Sequence, residues 1–101
     1  MERHLGIDET IRALGDPTRR EILRALRDGD LAAGDIAARF PITAASVSHH
    51  LNVLREAGLV NSERDGRSII YSLDATVFQE FMQQMMTMLD VGGDADTGSG
   101  T

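Results

Sequence analysis

A chain of 101 residues, 42% hydrophobic and 26% charged, suits one soluble folded domain and is too apolar for wholesale disorder. It holds no cysteine, which excludes disulfides, thiolate metal ligands and thiol redox chemistry, and no apolar run near the roughly 18 residues of a membrane helix. The net charge of −6, taken alone, argues against a nucleic-acid binder, because such domains usually present a basic surface.

The distribution of charge qualifies that inference. Residues 1–40 carry eight acids and seven arginines, residues 41–72 three of each, and residues 73–101 five acids and no base. The acidity therefore sits at the C-terminal end. All ten basic residues are arginine, which genome base composition explains more simply than selection for bidentate contacts. Residues 1–14 lack the basic-then-apolar layout of a signal peptide, so a cytoplasmic location is expected.

Ile7, Ile11 and Leu14 recur at i, i+4 and i+7 and predict a short first helix ended by Gly15. Asp16-Pro17 restarts the chain, Asp as N-cap and Pro at the first helical position, so a second helix is expected to about Arg27. Its core face is Ile22, Leu23 and Leu26, and Gly29 closes it. A third helix over about 33–39 buries Ile36 and Ala37 and stops at Phe40-Pro41. Thr43 is the expected N-cap of a fourth helix, 44–57, ended by Gly58. Ala44, Val47, Leu51 and Leu54 fall within about 80° of one another and form a narrow stripe to be buried. Ala45, Ser46, Ser48, His49, Asn52 and Arg55 occupy the opposite face.

After Gly58 the period changes to two. Residues 59–64 and 67–73 flank Asp65-Gly66, a strong signal for a hairpin. Asp74 caps a last helix, 75 to about 90. Residues 1–90 are thus expected to form one domain, mainly α with a small β-hairpin, and 91–101 an acidic disordered tail.

This order is a helix-turn-helix followed by a wing. A recognition helix needs a thin apolar stripe to seat it and short polar side chains to reach base edges. Ser46, Ser48, His49 and Asn52 can donate or accept at bases or phosphates, and Ala45 can touch a thymine methyl. Thr43 and the helix N-terminus can hold a phosphate, while Arg64 and Arg67 at the wing tip can reach phosphates or a minor groove.

Val77, Phe78, Phe81, Met82, Met85, Met86, Met88 and Leu89 sweep about 180° of the last helix, whereas packing on one small domain needs about 100°. A two-fold related copy of the helix is the simplest cover, the alternative being a flexible Met-filled core within one chain. His50 borders the buried stripe, and a structural role is favoured over DNA contact. His49 points outward with Ser48 and Asn52. Neighbouring imidazoles point about 100° apart, which disfavours a metal between them. Arg20, Arg24 and Arg27 form a stripe read as solvated or locally paired, as Glu21 with Arg24, and Arg19 nearer the apolar side is assigned an internal ion pair. No Ser-His-carboxylate arrangement or phosphate-binding glycine loop occurs, so no enzymatic activity is expected.

The strings LGDPTRREIL (14–23), SVSHHLNVLREAGLV (46–60) and RDGRSIIYSL (64–73) resemble the bacterial ArsR/SmtB family of dimeric winged-helix repressors, over residues 5 to about 89. The resemblance implies DNA contact by Ser48, His49 and their neighbours, with Arg64 and Arg67 on the wing. It implies a dimer interface on the first and last helices, here Ile7, Ile11, Phe78, Phe81, Met82, Met85 and Leu89. Many members sense metals through a Cys-x-Cys-type set in the third helix or paired His in the last. The matching stretch Asp30-Leu31-Ala32-Ala33-Gly34-Asp35-Ile36 has no thiol and residues 75–90 have no His, so no metal or other cofactor is expected. The wording GDLAAGDIAARF with SVSHHLNVLREAGLV is closest to the metal-independent, SdpR-like autorepressors.

The resulting expectation is a homodimeric repressor on an imperfect DNA palindrome with half-sites roughly 34 Å apart. Two alternatives stand beside it. One is a winged-helix protein-interaction module, which would show Leu, Phe or Trp anchors on the fourth helix. The other is a regulator responsive to a small ligand held between the Met-rich helices; a protein inducer is as compatible as a small one.

Overall fold

The structure, a computed structural model, describes residues 6–90, so the expected tail at 91–101 lies outside the described residues. Helix α1 (Ile7–Leu14) buries Thr10 and Ala13, two small residues that let neighbouring helices approach closely. Ile7 and Leu14 are half-buried and Ile11 stands exposed, so most of the i, i+4, i+7 stripe lies beside the core. Helix α2 (Pro17–Arg27) begins where expected: the Asp16 carboxylate accepts from the Arg19 N–H at 3.0 Å, and Pro17 needs no donor in the first turn. Ile22, Leu23 and Leu26 are buried.

Strand β1 (Leu31–Ala32) was not anticipated. It pairs antiparallel with a later strand, Leu31 opposite Tyr71 and Ala32 opposite Ile70. Two residues are too few to show a period, and the strand exists only because a partner edge is offered. Helix α3 (Ala33–Ala37) is shorter than the expected 33–39, because Arg39 and Phe40 donate to carbonyls three residues back in a tightening turn.

Helix α4 (Ala44–Glu56) is capped by Thr43, whose hydroxyl oxygen accepts from the Ser46 N–H at 3.0 Å. Val47, Leu51 and Leu54 are buried as expected, but Ala44 is exposed: at the first helical position it lies beyond the body that the later turns rest upon. At the other end, Gly58 takes φ +79°, its N–H donates to Arg55 O at 2.9 Å and Leu59 N–H to Leu54 O at 3.0 Å. This is a Schellman ending, with buried Leu59 and Leu54 making its apolar contact.

Strands β2 (Val60–Asp65) and β3 (Ser68–Leu73) form the hairpin, with sheet order β1-β3-β2. Asp65 pairs with Ser68, so the two-residue turn is Gly66-Arg67, one residue later than Asp65-Gly66. Gly66 has φ +66° and Arg67 does not have positive φ, the pattern of a II′ turn with glycine first. Helix α5 (Ala75–Leu89) is capped by Asp74, whose carboxylate accepts from Val77 N–H at 3.1 Å and, through its other oxygen, from the Asn61 side chain at 3.3 Å. Leu59 is the junction of three elements: besides its bond to α4, its carbonyl accepts from Asp74 N–H at 2.9 Å. Among the described residues no helix is long and apolar enough to cross a membrane.

Candidate nucleic-acid interface

Helix α4 turns Ala45, Ser48, His49, Asn52 and Arg55 to solvent on one side, while Val47, Leu51 and Leu54 seat the other. Ser46 departs from the expected outer face. It is half-buried and receives a hydrogen bond from the Thr43 hydroxyl at 3.1 Å, so this pair completes the cap. Asn52 Oδ1 accepts from Arg55 Nη2 at 3.3 Å, which orients the amide and leaves its NH2 group outward. Arg64 and Arg67 are exposed at the wing tip, a separate position from the α4 set, with Arg64 Nη1 donating to Gly66 O at 3.4 Å.

The α2 arginines are locally engaged, as read from the sequence. Arg24 meets Glu21 at 3.0 Å, Arg27 lies 3.7 Å from Asp28, and Arg20 donates to Leu14 O at 2.8 Å. Arg19 differs from the expected ion pair. Its Nε donates to Ala13 O at 2.7 Å, one terminal nitrogen to Arg12 O at 3.0 Å, and the other lies 3.1 Å from His50 Nδ1. His50 is thus turned inward and half-buried, while His49 is exposed beside it with ring centroids 5.8 Å apart. Asp16 Oδ2 stands 3.8 Å from the same imidazole. The Arg19 backbone N–H holds the Asp16 carboxyl below its ordinary range, opposed by partial desolvation and helped by the Arg19 charge and the Thr18 N–H.

Of the residues expected at a dimer interface, Phe81 is buried within the single chain, where it lines a groove between α1 and α5 with Ile7, Thr10 and Met88. Ile7, Phe78 and Met85 are half-buried. On α5, Met82, Met86, Met88 and Leu89 remain 51%, 47%, 53% and 59% exposed, and on α1 Ile11 is 43% exposed, which leaves apolar surface on both helices without cover in a single chain. Among the described residues no three His, Asp or Glu side chains converge as a metal ion would require.

A short helix, a turn and a seated polar helix, followed without a linker by a β-hairpin, define a winged helix-turn-helix, a class of DNA-binding regulator. The sequence profile described as "Bacterial regulatory protein, arsR family" matches residues 16–62. The transcriptional repressor SdpR of Bacillus subtilis (strain 168) is 43% identical over 86 residues, which span 85% of this chain and 96% of that protein. The HTH-type transcriptional regulator NmtR of Mycobacterium tuberculosis is 41% identical over 77% of this chain and 65% of its own length. Among solved structures, an ArsR-like transcriptional regulator from Rhodococcus sp. RHA1 superposes with a TM-score of 0.75 at 29% identity, covering 92% of this chain and 87% of that one. A domain of Mycobacterium bovis described as a homodimeric winged helix-turn-helix DNA-binding domain gives 0.68 at 25% identity, over 81% of this chain and 77% of its own. The chain belongs to the arsR family of bacterial regulatory proteins: it is a transcriptional regulator and not an enzyme.

Proposed function

We propose that the protein is a cytoplasmic, homodimeric repressor that binds a palindromic DNA operator through paired α4 helices and acts without the family's usual metal sites. The outer face of α4 carries the reading: Ala45, Ser48, His49 and Asn52 are short, polar or small, and exposed beside a seated stripe. A protein-docking helix would show large apolar anchors there instead. The uncovered apolar face of α5 supports the dimer, whose two-fold axis would set half-sites about 34 Å apart. Metal independence is supported by donor chemistry, since the chain has no thiol and α5 has no imidazole. A metal titration that changes operator affinity would overturn that part.

The decisive test is a gel shift of the purified protein on the DNA upstream of its own gene. The wild type is expected to shift this DNA in a salt-dependent manner. A Ser48→Glu, His49→Glu variant places two carboxylates against the duplex and is expected to lose roughly a hundredfold in affinity. Equal binding by the variant would remove α4 from the interface.

A further inference from the structure

We infer that Arg19 is a positioning residue for DNA recognition: its guanidinium fastens the C-terminal end of α1 to His50 of α4 and so sets the roll of the recognition helix. The inference rests on the regulator reading above and deepens it. One side chain reaches three acceptors in two other helices, at 2.7 Å and 3.0 Å on Ala13 O and Arg12 O of α1 and 3.1 Å on His50 Nδ1 of α4. The α1 carbonyls belong to the last turn, where backbone donors run short, although Arg12 O also accepts from the Gly15 N–H at 3.1 Å. Guanidinium has donors and no acceptor, so His50 must accept at Nδ1 and carry its proton on Nε2. At 3.8 Å the Asp16 carboxylate is outside hydrogen-bond reach of the ring; its bond to the Arg19 N–H instead fixes the turn from which Arg19 departs.

His50 is flanked in sequence by His49 and lies two residues from Ser48 and Asn52, the side chains proposed to reach DNA. The outer side chains sit roughly 5–6 Å from the helix axis, so a roll of about 20° carries them by roughly 2 Å, enough to break a base contact. An arginine that merely stabilised the fold would weaken binding to all DNA alike. One that sets the roll changes discrimination between sequences.

The test compares anisotropy titrations of the full chain on its own upstream DNA and on a scrambled duplex of equal length and composition. His50→Leu fills the space without an acceptor, whereas His50→Asn keeps an acceptor near the Nδ1 position. The ratio of upstream to scrambled affinity is expected to fall about tenfold in His50→Leu and in Arg19→Met, and to stay within about twofold in His50→Asn. The double variant Arg19→Met, His50→Leu is expected to be no worse than Arg19→Met alone, because that change already removes the contact to His50. Should Arg19→Met fail to fold, the two His50 variants still decide. An unchanged ratio in His50→Leu, an equal loss on both duplexes, or the same loss in His50→Asn overturns the positioning role alone. A wild type that shows no preference for the upstream DNA overturns the regulator reading as well.

Discussion

Asp16 shows how much one side chain can determine. Its carboxylate caps α2 and stands beside His50, and the Arg19 N–H lowers its pKa from the ordinary 3.8. A carboxyl whose folded pKa is depressed contributes stability that is full above its unfolded value and is lost as pH falls through the folded one. Asp16→Asn keeps a neutral cap, so urea unfolding should find the variant less stable than wild type at pH 7 and the gap closing below about pH 4. A gap that stays the same size as the pH is lowered through and beyond the carboxylate range would show that the charge contributes nothing. Asp16, Thr43 and Asp74 were all legible as caps because the signal is local, a short polar acceptor just before a helical run. The role of Arg19 was not legible: its acceptors are backbone carbonyls of another helix, and no side-chain pattern marks those. Ala44 was misplaced for a related reason, since periodicity gives an angle and says nothing about where the supporting body ends.

Among the elements, helices were legible wherever a cap and an apolar period coincided, and the shift to period two located the wing. What escaped was set by pairing between distant segments: β1 exists through β3, and the wing turn moved by one residue because Gly66 occupies the first turn position. The end of α4 carries a sharper expectation. Gly58 at φ +79° holds the Schellman bonds that pass the chain from recognition helix to wing. Gly58→Ala should cost roughly 1–2 kcal/mol in unfolding free energy, since a side chain strains the left-handed conformation. A thermal melt of the variant that matches wild type would mean that the turn relaxes freely.

The whole molecule presents an apolar α5 face and a net charge of −6, and each bears on assembly. Met82→Glu with Leu89→Glu changes side chains that are 51% and 59% exposed in one chain, so the fold should survive while the dimer does not. Sedimentation at micromolar concentration should find wild type dimeric and the variant monomeric. A dimeric variant would place the interface elsewhere. Because residues 41–72 are neutral in sum, few phosphates should be engaged, and log affinity should fall with log salt less steeply than the slope of about −9 that ten contacts give. Among the described residues the side chains of Ser48 and His49 hydrogen-bond to nothing in the protein, while Leu59 and the caps around α4 hold the frame that carries them. Substitutions on that outer face should therefore cost little in folding, and under the proposed function they would redirect the regulator to other operators through a handful of surface changes.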